Sequence, residues 1–410
     1  MKRYEDLSPS LRCIMTPGPV EVDPRVLRAM SYPVLGQFDP EFTDMMNETM
    51  EMLRQLFATG NQWAYPVDGT SRSGIEAVMV SLIAPGDRVL VPVFGRFGHL
   101  LHEIAERCGA EVHTIEKRWG SVFAPEEVTA AIRSFKPDVV AIVHGETSTG
   151  RVQPLAEIGR ACREQDALLI VDAVATIGGV PVETDAWMLD AVVGGTQKCL
   201  SIPSGMAPIT YNSRAEAKLL KRKQTERGLR SGASAASELP VIRSNYFDLA
   251  MLQDYWSPGR LNHHTEMTSM LYALREGLRL VLEEGLEARH SRHRLHERAL
   301  TAGLAAMGLE LYGDAESKLA VVTCVLIPPG IDGESVRSML LHHFGIEIAS
   351  SFGPLQGRIW RIGTMGFSCR ENNVLRLLGA LEAVLMRHGY AVPAGEAVQA
   401  ALDVYETEGR

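Results

Sequence analysis

Two charged side chains in the middle of the sequence follow apolar runs that are typical of neighbouring strands. Asp172 comes directly after the run 168–171, and Lys198 follows a second run, 191–195. Because the carboxyl ends of parallel strands meet at one edge of a sheet, we expect both side chains to face a ligand there. A lysine that can form an imine, beside a carboxylate that keeps a pyridinium nitrogen protonated, suits pyridoxal 5'-phosphate (PLP) chemistry. Taken alone, the pair also fits a surface lysine and a helix-capping aspartate.

A third segment, 68–74, is rich in small residues and has the sequence Asp-Gly-Thr-Ser-Arg-Ser-Gly. It opens a predicted helix over 75–82, and the backbone N–H groups at a helix N-terminus bind phosphate. The segment is neither a Walker loop nor a dinucleotide fingerprint, because it lacks the G-x-x-x-x-G-K-[ST] pattern. Many loops have this composition, so the segment supports a phosphate site only in combination with Asp172 and Lys198.

The elements that would position these residues alternate along the chain. Apolar runs over 88–93, 139–143, 167–171 and 191–193 are separated by helical patterns such as 155–164. This alternation predicts an α/β fold with a mostly parallel sheet covered by helices on both faces. We expect an N-terminal arm at 1–17, a large cofactor-binding domain at 18–280, and a smaller C-terminal α+β domain with a polar tail at 281–410.

The C-terminal part has its own predicted elements. One long helix over 270–307 would lead into it, followed by a strand over 320–326 and a helix near 335–342. A last helix is expected near 372–388, and the residues after Ala391 form a polar tail with weak structural signals.

The composition narrows the class of partner and the compartment. The 410 residues carry a net charge of −9, which argues against a nucleic acid or an anionic membrane surface as the main partner. No stretch approaches the roughly 20 apolar residues of a membrane helix, and the N-terminus has no apolar signal region. Six cysteines lie far apart, which predicts neither a zinc site nor a disulfide framework and favours a reducing cytoplasm.

Motifs spread along nearly the whole chain resemble one family of enzymes. They include His-Gly-Glu-Thr-Ser-Thr-Gly at 144–150, Val-Asp-Ala-Val at 171–174, Gly-Thr-Gln-Lys at 195–198, and shorter matches at 16–19, 39–42, 263–265 and 361–363. In this combination and order they resemble the alanine/serine–glyoxylate aminotransferases, class V enzymes of PLP fold type I. The resemblance implies that fold, glyoxylate as the amino acceptor, and a homodimer whose subunits share their active sites.

The resemblance also implies roles for individual positions. Lys198 would be the Schiff-base lysine and proton shuttle, and Asp172 would bind the pyridinium nitrogen. The other predicted cofactor contacts are Phe97 and Val174 on the two faces of the ring, Thr147 or Ser148 at its edge, and Ser71, Arg72, Ser73, Gln197 and the partner's Thr265 at the phosphate. Arg361 would clamp the substrate carboxylate, since guanidinium binds carboxylates through two parallel N–H groups.

Two positions depart from many members of the family. Gln37 stands where they carry His, and Asn262 stands where they carry Tyr. An amide at both places resembles the branch that uses ureidoglycine as amino donor in purine (allantoin) catabolism. A ureido group has N–H donors and a carbonyl acceptor, and side-chain amides offer both complements. We therefore predict that Gln37 and Asn262, the latter from the partner subunit, bind the substrate, although both would also fit ordinary polar loops.

Other interpretations stay open from the sequence. Alanine–glyoxylate or serine–glyoxylate transamination is the alternative on the same scaffold. A PLP lyase such as a cysteine desulfurase would need a mobile catalytic cysteine, for which no loop is evident, and Cys199 fits a small buried thiol better than a nucleophile. A non-catalytic scaffold would not need the set of Lys198, Asp172 and Arg361. The pair His263-His264 could suggest a metal, but no third ligand follows at a sensible spacing, so we predict no metal site.

Overall fold

A computed structural model describes residues 4–229 and 237–408, so residues 1–3 of the predicted arm and 409–410 of the predicted tail lie outside the described residues. The strands are β1 Cys13–Ile14, β2 Trp63–Gly69, β3 Arg88–Val93, β4 Glu111–Glu116, β5 Val139–Val143, β6 Gly145–Glu146, β7 Arg151–Val152, β8 Leu168–Asp172, β9 Ala191–Val193, β10 Gly205–Tyr211, β11 Val322–Leu326, β12 Ile346–Glu347 and β13 Ile359–Gly363. The helices are α1 Pro24–Ala29, α2 Pro40–Leu56, α3 Ser71–Leu82, α4 Arg96–Arg107, α5 Pro125–Phe135, α6 Ala156–Glu164, α7 Ser213–Leu220, α8 Leu249–Trp256, α9 Thr268–Glu284, α10 Leu286–Ala306, α11 Gly333–Met339, α12 Glu371–Arg387 and α13 Glu396–Glu408.

The main sheet has seven strands in the order β2-β10-β9-β8-β5-β3-β4. The pairs from β9 to β4 are parallel, and β10 runs antiparallel to both β2 and β9. Every residue of β5 and β8 is buried, as expected for strands covered by helices on both faces. The predicted α/β class with a mostly parallel sheet is therefore confirmed.

The buried apolar residues of the described ranges form three clusters: one between Val26 and Val281, a second that combines Cys13 and Met15 with residues 299–401, and a smaller third that includes Val20, Cys199 and Met365. The second cluster draws in the N-terminal segment because β1 pairs in parallel with β12, far away along the chain. Met15 adds a bond to the same region, since its carbonyl accepts from the Gly363 N–H at 2.8 Å. The N-terminal segment is thus built into the C-terminal part of the protein.

Two predictions for the C-terminal part were wrong in detail. The long helix expected over 270–307 is two helices, α9 and α10, because Gly285 interrupts it with a φ of +83°, which favours glycine. The polar tail contains a further helix, α13, whose Ala397 and Ala401 are buried. This helix packs against α10 and α12 with small residues, so its hydrophobic stripe is too narrow to stand out in the sequence.

Among the described residues, no helix is long and apolar enough to cross a membrane.

Candidate active site

The carboxyl end of the main sheet opens into a cavity of about 220 Å³ that contains both Asp172 and Lys198. Its other lining residues come from the strand–helix loops around them: Thr70, Ser71, Arg72, Ile75, Phe97, Leu100, Gly145, Thr147, Val174, Ala175 and Gln197. Three larger cavities, of about 640, 530 and 460 Å³, lie elsewhere and include neither Asp172 nor Lys198. Position at the strand ends and the chemistry of the lining together select the smaller cavity.

Asp172 is the last residue of β8, and its side chain is buried. Its Oδ1 accepts a hydrogen bond from the Val174 N–H at 3.0 Å. Burial raises the pKa of Asp172 to about 6, and the nearby Glu146 adds to this effect. A buried carboxylate of this kind gains from pairing with a cationic ring nitrogen, because the pairing compensates for the lost hydration.

Lys198 lies on the loop after β9, and its ammonium group is also removed from solvent. Burial lowers the pKa of Lys198 to about 8, and the positive charge of Arg361 lowers it further. Its Nζ donates a short hydrogen bond to the Pro17 carbonyl. A Cβ on Gly18, whose φ is +107°, would overlap the Lys198 side chain, so this close approach requires glycine. A lysine with a lowered pKa is the more available nucleophile.

The end of the cavity that is predicted to hold the phosphate lies where α3 begins. Thr70, the N-cap of α3, makes no side-chain capping bond, so the N-terminal turn keeps donors for a ligand. Ser71 and Arg72 line the cavity, and the Ser71 hydroxyl donates to Gln197 Oε1 at 2.7 Å. Ser73, in contrast, lies outside the lining, and its N–H and hydroxyl both donate to the Thr70 carbonyl.

Phe97 and Ser148, two of the residues predicted to contact the cofactor ring, are held by a residue that the sequence analysis did not single out. Glu146 is fully buried and accepts hydrogen bonds from the Phe97 N–H at 2.8 Å, the Ser148 N–H at 2.9 Å and the Ser148 hydroxyl at 2.6 Å. Ser148 therefore lies behind the cavity wall, while its neighbour Thr147 lines the cavity. Glu146 does stand in the 144–150 motif, but a carboxylate between Gly and Thr in a sequence gives no indication that it will be buried.

Arg361 is buried beside the cavity in the middle of β13. Its Nε donates to the Ser350 carbonyl at 2.7 Å, and its Nη1 donates to the Thr147 carbonyl at 3.1 Å. The Phe352 ring lies 4.6 Å from the guanidinium carbon. These contacts fix the plane of the guanidinium group close enough to Lys198 to affect that lysine's pKa.

Gln37, Asn262 and Thr265 lie outside this cavity, and the side chains of Asn262 and Thr265 are exposed in the single chain. Gln37 Nε2 donates to Asn262 Oδ1 at 3.0 Å, and the Glu266 N–H donates to Gln37 Oε1 at 3.1 Å. The expectation that the two amides come from different subunits is wrong for this geometry, because they pair within one chain. They present one continuous polar surface.

All six cysteines are free and buried. Cys199 donates its thiol to the Ala175 carbonyl at 3.3 Å, and burial raises its pKa to about 12. A thiol that stays protonated in the core is not a nucleophile, which agrees with the structural role expected for Cys199.

Comparison with known proteins identifies the family. The family description "Aminotransferase class-V" matches residues 30–357. The chain belongs to the class-V aminotransferases. It is 66% identical to the (S)-ureidoglycine–glyoxylate transaminase of Bacillus subtilis (strain 168), an alignment that covers 100% of this chain and 99% of the relative.

Solved structures agree with that assignment. The crystal structure of the ureidoglycine–glyoxylate aminotransferase from Bacillus subtilis superimposes with a TM-score of 0.93, covering 98% of this chain and 100% of the other. The alanine–glyoxylate aminotransferase of Nostoc sp. is 39% identical, with a TM-score of 0.88 and coverages of 94% and 98%. The chain is thus an aminotransferase of PLP fold type I.

The cavity fits the cofactor of this class. The cavity offers a buried carboxylate for the pyridinium nitrogen of PLP and a lysine of lowered pKa for its aldehyde. It also offers the aromatic ring of Phe97 for the flat cofactor ring and the uncapped N-terminus of α3 for the phosphate. The enzyme is PLP-dependent. The individual contacts with the cofactor remain predictions for Ser71, Arg72, Ser73, Phe97, Thr147, Ser148, Val174, Gln197 and Thr265.

Proposed function

We propose that this enzyme transfers the amino group of (S)-ureidoglycine to glyoxylate, giving oxalurate and glycine, in purine catabolism. The observation that carries the proposal is the hydrogen-bonded amide pair Gln37–Asn262 at positions where many relatives have His and Tyr. The full-length identity of 66% to a transaminase named for these substrates supports it.

The hydrogen bonds of the amide pair determine what it can offer a substrate. The Glu266 backbone N–H can only donate, so the Gln37 atom that faces it must be Oε1. Gln37 Nε2 is then the donor to Asn262, and the Asn262 amide nitrogen is left with both of its N–H groups. The pair therefore presents N–H donors, which suit the carbonyl oxygen of a ureido group, whereas the methyl group of alanine offers them no acceptor.

The residues of the cavity divide the catalytic work. PLP, when bound, supplies an electron sink for the substrate α-carbon. Asp172 would hold the ring nitrogen protonated, and Arg361 would hold the substrate carboxylate with its preoriented guanidinium group. Lys198 would hold the cofactor between turnovers and carry a proton from the α-carbon during each half-reaction, for which a pKa of about 8 is well matched to neutral solution.

The active unit we propose is a homodimer with shared sites, in which the exposed Asn262 and Thr265 of one subunit complete the site of the other. Gln37 would reach that same site with Asn262, since the two are bonded to each other. Because the two donors sit on one surface, a single subunit supplies the whole recognition element for the ureido group. We also infer a cytoplasmic location, on the ground that six free thiols suit a reducing compartment.

The experiment that tests the donor compares ureidoglycine, alanine and serine in half-reactions followed by the cofactor spectrum. Asn262→Asp keeps the shape of the side chain but removes its N–H donors. We expect kcat/KM for ureidoglycine to fall roughly 10- to 100-fold, as for the loss of one or two buried hydrogen bonds, with little change for alanine. Gln165→Glu, at an exposed position on the C-cap of α6, is the matched control.

A second variant tests specificity in the opposite direction. Gln37→His combined with Asn262→Tyr should lower kcat/KM for ureidoglycine and raise it, in relative terms, for alanine or serine. If wild type already prefers alanine or serine, the proposed donor is wrong and the alternative donor is correct; if the double variant keeps the wild-type order of donors, Gln37 and Asn262 do not determine the choice of donor.

A further inference from the structure

Three titratable side chains meet outside the catalytic cavity. Asp68 is the second-last residue of β2, and His264 and Glu266 flank Thr265 in the segment before α9. His264 Nε2 lies 3.2 Å from Asp68 Oδ2 and 3.7 Å from Glu266 Oε2, and one donor atom from each residue lies within 4.8 Å of the others. Asp68 is 5% exposed and Glu266 is 4% exposed, so the group is buried.

The oxygen and nitrogen atoms that meet there have no hydrogen-bond partner among the described residues. This holds for Asp68 Oδ2, for His264 Nε2 and for both carboxylate oxygens of Glu266. Arg260 donates its Nη1 to the Tyr255 carbonyl and its Nη2 to Asn47, and its Nε and the Tyr255 hydroxyl, which lies beside Glu266, likewise have no hydrogen-bond partner in the described part of the chain. Unpaired buried acceptors are costly, and unpaired buried charges more so, which indicates that something else binds these atoms.

The hydrogen bonds of the two histidines determine which atom of His264 faces the carboxylates. His263 Nε2 lies 3.2 Å from the Asn245 carbonyl, which can only accept, so this nitrogen carries the proton of a neutral His263 ring. His263 Nδ1 must then accept from His264 Nδ1, which lies 2.8 Å away. A neutral His264 therefore has its proton on Nδ1 and directs the lone pair of Nε2 at Asp68 and Glu266. The lone pair of His264 Nε2 and the carboxylate oxygens of Asp68 and Glu266 therefore point towards one another, as ligand atoms do around a metal cation.

We propose that Asp68, His264 and Glu266 bind a divalent transition-metal ion, Zn²⁺ in the first instance, at a site separate from the catalytic cavity. Ligand bonds of about 2.0–2.1 Å place the ligands of a tetrahedral zinc about 3.3 Å apart. The observed separations of 3.2 and 3.7 Å match that edge. Two carboxylates neutralise the charge of the ion, and the imidazole favours zinc over Mg²⁺ or Ca²⁺.

The ion would have a structural consequence for substrate recognition. It would join the end of β2, directly before the phosphate-binding turn, to the segment that carries Asn262 and Thr265. Glu266 would be held by its side chain at the metal while its backbone N–H holds Gln37. The metal would thus hold the amide pair Gln37–Asn262 in place by linking Glu266 to Asp68 of β2 in the main sheet.

The first experiment measures metal content by mass spectrometry in untagged protein purified without chelators from zinc-supplemented cells. We expect one zinc ion per chain in the wild type and less than a tenth of that in Glu266→Gln and Asp68→Asn. Glu111→Gln, which changes an exposed carboxylate on β4, should keep the full amount. Circular dichroism and gel filtration show whether the variants are folded.

The second experiment needs no variant and does not use activity, so its failure leaves the proposed donor untouched. Chelation should lower the Tm of the wild-type holoenzyme, Zn²⁺ should restore it, and Mg²⁺ at the same concentration should not. The proposal would be overturned if the zinc content of the wild type is no higher than that of Glu266→Gln and chelation leaves the Tm unchanged. That result would mean that the two carboxylates share a proton. Zinc retained in full by both Glu266→Gln and Asp68→Asn would also overturn it, since the ion would then bind elsewhere.

Discussion

The lowered pKa of Lys198 predicts how fast the apoenzyme captures its cofactor at each pH. Only the neutral amine attacks the aldehyde of PLP. With a pKa of about 8, about a tenth of Lys198 is neutral at pH 7, whereas a lysine of pKa 10.5 would be neutral in about one molecule in three thousand. Burial therefore increases the reactive fraction roughly 300-fold at neutral pH.

Stopped-flow mixing of apoenzyme with PLP measures this directly. We expect the rate constant for attachment to rise about tenfold per pH unit and to level off above pH about 8. The same reaction with a simple primary amine in solution is the control, because it separates the titration of PLP itself from that of Lys198.

Two substitutions should shift the midpoint of that profile in opposite directions. Arg361 lowers the pKa of Lys198, so Arg361→Gln should move the midpoint to higher pH. Asp172 raises the pKa of Lys198, so Asp172→Asn should move it to lower pH. A wild-type rate that keeps rising tenfold per unit to pH 10, or two variants that shift the midpoint in the same direction, would refute this account.

Three further outcomes are expected. Glu146→Ala leaves buried donors of Phe97 and Ser148 unpaired, so it should lower the free energy of unfolding by about 3–5 kcal/mol in urea titrations; Glu146→Gln keeps one acceptor and should lose less. Mixing Lys198→Ala with Thr265→Ala subunits should restore about a quarter of wild-type activity, since half of the dimers are mixed and each has one intact site; no recovery after exchange would contradict shared sites. Gly18→Ala should weaken PLP binding measured by spectral titration, because its Cβ would overlap Lys198; unchanged affinity would show that the loop adjusts freely.

The main sheet and the positions of Asp172 and Lys198 at its edge could be predicted because each is indicated by a short stretch of sequence. Continuous apolar runs identify β5 and β8, and the rule that ligands bind at strand carboxyl ends leads directly to Asp172 and Lys198. The break at Gly285 has a local signal in the glycine itself, but the apolar periodicity of the leucines before it predicts a continuous helix.

Features that depend on side-chain direction could not be predicted. Ser73 and Ser148 stand in the expected motifs, yet neither lines the cavity, and their hydroxyls donate to the Thr70 carbonyl and the Glu146 carboxylate. The contact of Asp68 with His264 joins segments far apart in the sequence, and only the packing of the folded chain brings them together. The spacing of residues around His263-His264 carries no signal for such a contact.

The pairing of β1 with β12 has a consequence for the order in which the protein is made. Residues 13–14 emerge early from the ribosome, but their partners at 346–347 emerge only after most of the chain has been synthesised. Until then Pro17, which follows β1 closely, has no fixed position from which to accept the hydrogen bond of Lys198. Contacts of such long separation form slowly because a large loop must close first. A nascent chain can therefore complete its sheet while the lysine that will hold the cofactor is still unsupported, and competence to bind PLP arrives as one of the last events of folding.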